Sequence, residues 1–288
     1  MNINSSFSII IPTWNNLPYL EKCVRSIKKN STFNHEIILH INEGNDGSLD
    51  FARDMGLTYT HSNENIGICH AVNSASNLST KEWLVYMNDD MYVLPGWDIE
   101  LIRSMPQDTD LFMLSGTMIE PTETGNDCVI VADHGKSHET FDESSLLSSF
   151  LKYHHNDWNG SSWPPTLVHI RWWRAAGGYS VELFPGMSSD TDFAMKMWML
   201  GCRIFKGVER SRIYHFQCKS TGRIIKNNGA NQFLSKWGIS QSDFNRLYLK
   251  RGSIYNGKLN EPEESKLFYA KLKATLKRRF GSIFTPYY

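Results

Sequence analysis

The chain carries no excess of charge of either sign. Its 288 residues include 30 basic and 30 acidic side chains, so the formal net charge at pH 7 is zero. Proteins that capture nucleic acid by general electrostatic attraction need a basic surface, because most of their affinity comes from contacts to phosphates. The balance of charge therefore argues against nucleic acid as a partner.

Cysteine pairs and long apolar runs are also missing. The five cysteines are scattered and form no C-x-x-C pair, so neither a zinc site nor a disulfide framework is predicted. No run approaches the roughly 20 apolar residues of a membrane span. The short polar segment Met1–Ser6 lacks the charged start of a signal peptide. We therefore expect a soluble, cytoplasmic protein with reduced thiols.

Short apolar runs alternate with helical patterns in the first third of the chain. Phe7–Ile11 and Glu36–Ile41 have the composition of buried strands, and Leu17–Lys28 between them has apolar residues at helical spacing. A further strand, Trp83–Met87, follows two more helical patterns. Strands separated in this way predict a parallel sheet with right-handed crossovers. Ligands of such sheets bind beyond the carboxyl ends of the strands.

Two adjacent acids, Asp89 and Asp90, follow the Trp83–Met87 strand. Each carboxylate loses hydration there, and each raises the cost of ionising the other, unless a cation lies between them or both face a wet cleft. A turn at the strand end explains one aspartate more readily than two. The pair therefore favours a site for a divalent metal ion.

A second pair of acids, Asp190 and Asp192, lies at the start of a helix predicted from Ser188 to Leu200. One acid suits the N-terminus of a helix as a capping group. Residues two apart cannot share one helical face, so the other acid can face the cleft and act as a general base.

A long polar segment over residues 120–165 predicts a functional loop. Trp158 and Trp163 stand there among polar residues, a pattern typical of sugar platforms, although ordinary packing of the loop explains it equally well. Beyond it, His215 ends a strand and is followed by Lys219 and Arg223. A lone histidine more often has a structural role than a role as a metal ligand. The side chains of Lys219 and Arg223 can bind phosphate or simply be solvated.

An ordered set of short segments resembles the inverting family 2 glycosyltransferases of the GT-A fold. These segments are Ile11–Asn16, Asn45–Ser48, Asn65–Gly67, Asn88–Asp90 with Pro95–Trp97, and Asp190–Phe193 with Gly201. The resemblance spans residues 7–220. It implies an α/β fold with a Rossmann-like, mostly parallel central sheet flanked by helices. The GT-A catalytic domain would cover 1–220, with a nucleotide-binding half over 1–105 and an acceptor half over 106–220. Residues 221–288 would form a C-terminal helical extension.

The resemblance also implies a role for each matching residue. Asp190 corresponds to the general base, and Asp90 and His215 would bind the cofactor, Mn²⁺ or Mg²⁺. The matching residues implied to hold a UDP-, GDP- or dTDP-sugar are Pro12, Thr13, Asn15, Asp46, Asn65, Gly67 and Asp89, and the charges of Lys219 and Arg223 add these two to the predicted donor site. Asp192, Trp158 and Trp163 are predicted to contact the acceptor, the two tryptophans from their own sequence pattern and not from the resemblance. The chain departs from the family pattern at Asn88, where an aspartate is usual, so either Asp89 or Asp90 can carry the metal; we favour Asp90. It also departs at Ser189, where a glutamate is common before the base.

The function expected on this basis is metal-dependent transfer of one sugar, with inversion, to a hydroxyl of a glycan or lipid-linked acceptor, in the synthesis of surface polysaccharide or glycoconjugates. One alternative is a nucleotidyltransferase of related fold, but such enzymes carry a Gly-rich, basic loop that is absent after the first strand. Another is an inactive carbohydrate-binding protein. The joint presence of Asp46, Asp90, Asp190 and His215 argues against that loss of activity.

The C-terminal segment from Lys266 to Arg279 contains six basic residues and no acid. Its apolar residues recur near helical spacing, so a basic amphipathic helix over residues 266–284 is predicted to lie on the inner face of an anionic membrane. The alternatives are a terminal helix packed on the domain and a contact between copies in a homo-oligomer.

Overall fold

One ten-stranded sheet forms the centre of the protein. The structure, a computed structural model, describes residues 6–218 and 225–284. The strands are β1 Phe7–Trp14, β2 Glu36–Asn42, β3 Thr58–Ser62, β4 Trp83–Tyr86, β5 Met91–Val93, β6 Met113–Glu120, β7 Val129–Val131, β8 Trp158–Asn159, β9 Thr166–His169 and β10 Phe205–His215. The α-helices are α1 Leu17–Asn30, α2 Ser48–Asp54, α3 Gly67–Ser76, α4 Trp97–Arg103, α5 Glu143–Ser149, α6 Ile170–Ala175, α7 Ser189–Met199, α8 Gly229–Trp237, α9 Gln241–Leu247 and α10 Glu264–Phe284.

The order of the strands creates a crevice at the end of β1. The sheet runs β3-β2-β1-β4-β9-β6-β10-β5, with β1 paired in parallel to β2 on one side and to β4 on the other. Such a reversal of strand order opens a cleft beyond the carboxyl ends of the two neighbours. The predicted α/β fold with its central sheet is confirmed. The second half of the sheet contains both parallel and antiparallel pairs, because β9 runs antiparallel between β4 and β6.

Strand β1 is apolar on both faces because it separates two parts of the core. Ile9 and Ile11 belong to the cluster that includes α1 and α4, whereas Ile10 belongs to the cluster that includes α3 and α7. All three are fully buried. Burying each such side chain stabilises the fold by roughly 1.5–3 kcal/mol, so β1 is a rigid support for the residues that follow it.

The segment over residues 120–165 is more regular than the sequence predicts. It contains β7, α5, a 3₁₀ turn at Phe150–Lys152 and β8. The buried guanidinium of Arg212 holds this segment by donating to the carbonyl oxygens of Phe150 and Tyr153 and by pairing with Glu209. Long-range hydrogen bonds of this kind leave no local pattern in a sequence, which explains the difference.

The C-terminal helices share the core with the sheet. Phe233 of α8 and Phe244 of α9 belong to the same hydrophobic cluster as Phe193 of α7. The proposed boundary at residue 220 falls among residues 219–224, which lie outside the described residues, so the division into two parts stays a prediction. No helix within 6–218 or 225–284 is long and apolar enough to cross a membrane.

Candidate active site

The ends of β1, β2 and β4 meet through a short chain of hydrogen bonds. The hydroxyl of Thr13 donates to Asp89 Oδ2 at 2.7 Å. Asn42, at the end of β2, donates to the carbonyl oxygen of Thr13 at 3.2 Å and accepts from the backbone N–H of Ile66 at 2.9 Å. Pro12 precedes Thr13 within β1 and is buried. The buried Asn42 was not predicted, and its only sequence signal is a polar residue ending an apolar strand.

Asp46 lies where two helices begin. Its Oδ2 accepts from the backbone N–H of Leu17 at 2.6 Å, and its Oδ1 accepts from the backbone N–H and hydroxyl of Ser48. Nearby, the Asn15 side chain donates to Glu43 Oε2 at 2.8 Å and accepts from the Asn45 N–H at 2.9 Å. These bonds connect the loop after β1 to the loop after β2. The two loops therefore form one wall of the cleft.

The start of α3 connects this wall to the segment before Asp190. Asn65 Oδ1 accepts from the N–H of Gly67, which has a φ of 69°. A Cβ added to Gly67 would lie 2.8 Å from the Phe184 ring and from the carbonyl oxygen of Pro185, so only glycine fits there. The N–H of Ile68 also donates to the Pro185 carbonyl at 2.8 Å. This wall of the cleft and helix α7, which contains Asp190, are thus held together.

Asp90 and His215 are brought together by the antiparallel pairing of β5 with β10. His215 is opposite Met91 in the sheet, and its Nε2 lies 3.4 Å from Asp90 Oδ2. The other ring nitrogen, Nδ1, lies 2.7 Å from Glu120 Oε1 at the end of β6. Asp90 Oδ2 also accepts from the N–H of Cys218 at 2.8 Å. Glu120 was not predicted as part of the site.

Burial and neighbouring charges shift the pKa values of Asp90 and His215 in opposite directions. Burial disfavours the charged imidazolium, but the carboxylates of Asp90 and Glu120 outweigh it and raise the pKa of His215 to about 10. Burial likewise disfavours the Asp90 carboxylate, but the charge and hydrogen bond of His215 outweigh it and lower the pKa of Asp90. The two side chains form an ion pair across the end of the sheet.

The Asp90–His215 pair fits a metal ion that is shared with a ligand. Within residues 6–218 and 225–284, no group of three or more His, Cys, Asp and Glu is arranged to hold a metal. Glu120 accepts from Nδ1 so that Nε2 faces Asp90, and the pair would offer one oxygen and one nitrogen to a metal ion that takes the place of the Nε2 proton. Mg²⁺ is commonly held by one or two carboxylates while substrate phosphates and water complete its shell. The residues present suit that arrangement.

Asp190 lies in the first turn of α7 and is half-buried. Burial raises the pKa of its carboxyl, although the N–H of Thr191, which donates to Oδ1 at 2.7 Å, and the positive charge of Arg251 oppose the shift. Burial, and then the negative charges of Asp190 and Asp89, raise the pKa of Tyr86, so both acids lie within electrostatic range of its hydroxyl. Its hydroxyl donates to Asn88 Oδ1 at 2.8 Å. Tyr86 and Arg251 are further neighbours that the sequence did not indicate.

The residues predicted to contact the acceptor lie inside the protein. Asp192 is fully buried and accepts from Ser180 at 2.5 Å, Trp237 at 2.8 Å and Lys236 at 2.9 Å. These bonds connect α7 to α8. The acceptor role of Asp192 stays a prediction that the proposed function does not use.

Trp158 and Trp163 are stacked with 5.1 Å between ring centroids and are 1% and 8% exposed. Trp158 packs on Gly207, and the guanidinium of Arg251 lies 3.8 Å from the Trp163 centroid. A sugar platform needs an open ring face, so their acceptor role also stays a prediction that the proposed function leaves aside. Lys219 and Arg223, predicted to bind the donor, lie outside the described residues.

Comparison with known proteins bears on the fold and on the family. A search of curated proteins found no match. The chain is similar to the crystal structure of S. aureus TarS 1-349, with 15% identity and a TM-score of 0.55 over 73% of this chain and 60% of that chain. It is also similar to the same TarS fragment in complex with UDP-GlcNAc, with 18% identity and a TM-score of 0.52 over 73% and 58% of the two chains. The chain thus spans less than two thirds of the structures it matches, and the likeness shows the GT-A fold.

The family assignment comes from the sequence itself. Residues 8–158 match the model of glycosyl transferase family 2. The matched region is more than half of the 288 residues and contains Asp46, Asp89 and Asp90. The predicted family is therefore confirmed: the chain belongs to glycosyl transferase family 2.

Proposed function

We propose that the protein transfers one sugar from a nucleotide-diphosphate sugar to an acceptor hydroxyl, with inversion and with the help of Mn²⁺ or Mg²⁺. One observation carries the proposal. The wall that contains Thr13 and Asp89 meets the Asp90–His215 pair just after β4, and Asp190 lies within electrostatic range of Tyr86, the last residue of that strand, although these parts come from distant regions of the chain. A transferase needs a donor pocket, positive charge for the leaving group and a base in one cleft.

Each part of the cleft has a chemical task in this proposal. When bound, the metal ion supplies positive charge that offsets the negative charge building up on the diphosphate. Asp90 and His215 hold that charge in place. Asp190 takes the proton from the acceptor hydroxyl as its oxygen attacks the anomeric carbon, and the bond from that carbon to the diphosphate breaks on the opposite face. A single displacement inverts the configuration.

The donor is the part of the proposal that can be tested first. We expect one nucleotide-sugar among UDP-, GDP- and dTDP-sugars to raise the melting temperature in the presence of Mn²⁺, because a ligand that binds only the folded state stabilises it. At a hundredfold excess over Kd the gain is about 2.7 kcal/mol. Since S. aureus TarS has been crystallised with UDP-GlcNAc, UDP-sugars are the first to try.

Product analysis separates this function from its alternatives. Release of the nucleoside diphosphate, together with a new glycosidic bond of inverted configuration by NMR, is the expected result. Release of pyrophosphate from a nucleoside triphosphate would instead identify a nucleotidyltransferase. Sugar binding without stabilisation by any nucleotide-sugar would indicate an inactive carbohydrate-binding protein. The proposed acceptor is a glycan or a lipid-linked sugar of a surface polysaccharide or glycoconjugate, made in the cytoplasm.

Glu120 gives a test of the metal site that needs no turnover. Glu120→Gln removes the charge that holds His215 Nδ1 and lets the ring turn away from Asp90. We expect Mn²⁺ affinity, measured calorimetrically with the nucleoside diphosphate present, to fall about 10- to 100-fold, as is typical when the hydrogen-bond partner of a metal ligand is changed. Glu139→Gln, at an exposed glutamate, is the matched control. Equal Mn²⁺ affinity in both variants would show that Glu120 does not position His215.

A further inference from the structure

Helix α10 packs against the rest of the protein with one narrow face. Among residues 264–279 of this helix the buried side chains are Ala270 and Ala274, which are 5% and 3% exposed, and Leu267 beside them is partly buried. The helix contacts α8 and α9. Because the packed face consists mainly of two alanines, the large apolar side chains at positions 268, 269, 272 and 276 are left outside the core.

The opposite face of α10 carries an exposed apolar stripe. Phe268, Tyr269, Leu272 and Leu276 are 63%, 69%, 47% and 49% exposed. Positions 268, 272 and 276 are four residues apart and therefore lie on one side of the helix. At 3.6 residues per turn they point about 180° away from Ala270 and Ala274. We call these four side chains the α10 stripe.

Cations border the α10 stripe on both sides. All six basic residues of the helix before position 280 are exposed: Lys266, Lys271, Lys273, Lys277, Arg278 and Arg279. No acidic residue occurs from 265 to 284, although the whole chain has equal numbers of acids and bases. By helical position, Lys271 and Arg278 flank one edge, Lys266, Lys273 and Lys277 flank the other, and Arg279 lies at the C-terminal end of the stripe itself. This is the pattern of a helix lying in a lipid interface, where long basic side chains reach back to anionic headgroups.

We propose that the α10 stripe and its basic borders dock the protein on a membrane surface rich in anionic lipid. The charge pattern selects this occupant over a second copy of the chain. Two α10 stripes packed face to face would bring two sets of six cations together, and Glu264 at the N-terminal end of each helix is the single acid of α10. The inference stands on α10 alone and needs neither the metal nor the donor of the proposed function.

Binding of the full-length protein to vesicles tests the inference. We expect the protein to sediment with phosphatidylcholine vesicles that contain phosphatidylserine, to bind pure phosphatidylcholine much less, and to dissociate as salt is raised. Each cation near an anionic surface contributes about fivefold to the affinity. The double variant Lys273→Gln, Lys277→Gln should therefore bind roughly 25-fold more weakly. Leu272→Gln with Leu276→Gln should cost roughly tenfold or more by removing apolar contact.

Matched controls distinguish binding through the α10 stripe from general effects of surface charge and surface hydrophobicity. Leu151→Gln removes an apolar side chain that is 76% exposed elsewhere, and Lys28→Gln with Lys152→Gln removes two exposed cations. These controls should keep full vesicle binding. Unchanged melting temperatures would show that the α10 variants remain folded. The inference would be overturned by equal binding to both kinds of vesicle, by α10 variants that bind like the controls, or by a dimer in solution that the leucine variants dissociate. A loss of vesicle binding with normal donor binding would leave the proposed function untouched.

Discussion

Asp190→Asn is expected to reduce transfer about 10²- to 10⁴-fold, the range typical of removing a general base. An amide cannot take the proton of the acceptor hydroxyl, whereas the shape of the side chain and the hydrogen bond from Thr191 are retained. The affinity for the nucleotide-sugar should stay within a few-fold, because the wall that we propose binds the donor contains Thr13, Asp46 and Asp89 and not Asp190. Initial rates of nucleotide release with acceptor, together with calorimetric donor binding, measure both quantities.

The pH dependence adds a second signature of the base. Burial raises the pKa of Asp190, and the base works only when ionised. Activity should therefore fall as the pH is lowered through a value above the usual one for aspartate, and be fully present at neutral pH. Asp243→Asn, in the first turn of α9, is a control for losing an acid at a helix start. A normal turnover rate in Asp190→Asn would exclude Asp190 as the base.

The sequence alone was sufficient to predict which residues of the candidate site lie at the ends of strands. The apolar runs of β1, β2 and β4 are long enough to locate their carboxyl ends, so Thr13, Asp46 and Asp89 could be assigned to one crevice before the structure was known. The parallel pairing of β1 with β2 and β4 has the predicted form. Local pattern and turn chemistry determine such features.

Features that depend on distant pairing could not be predicted in this way. Glu120 reaches His215 only because β6 and β10 are neighbours in the sheet, although 95 residues separate the two side chains. The stacking of Trp158 on Trp163 and the bonds of Asp192 to α8 likewise depend on which elements pack together. A polar residue beside an aromatic one has the same local pattern whether it faces a ligand or another helix. Exposure, which decides between these roles, is a property of the fold.

The second large effect that we expect is that of Asp90→Asn, which should make the rate of sugar transfer insensitive to added metal ion. Replacing the carboxylate by an amide removes the negative charge that pairs with His215 and would hold the cation. We expect transfer to fall about 10²- to 10³-fold, similar to removing one preorganised charge-stabilising group in other active sites. Excess chelator should abolish transfer by the unaltered enzyme and change the residual rate of the variant little.

Asp89→Asn decides which of the two adjacent carboxylates carries the metal. Asp89 accepts from Thr13 on the wall proposed to bind the donor, whereas Asp90 lies beside His215 on the other side of the strand end. Asp89→Asn should therefore weaken binding of the nucleotide-sugar while Mn²⁺ affinity, measured with the nucleoside diphosphate at saturation, stays near normal. Asp90→Asn should show the reverse. If Asp89→Asn instead lost Mn²⁺ and Asp90→Asn kept it, the ion would sit on the Thr13 side. The Asp90–His215 ion pair would then be a structural tie between β5 and β10.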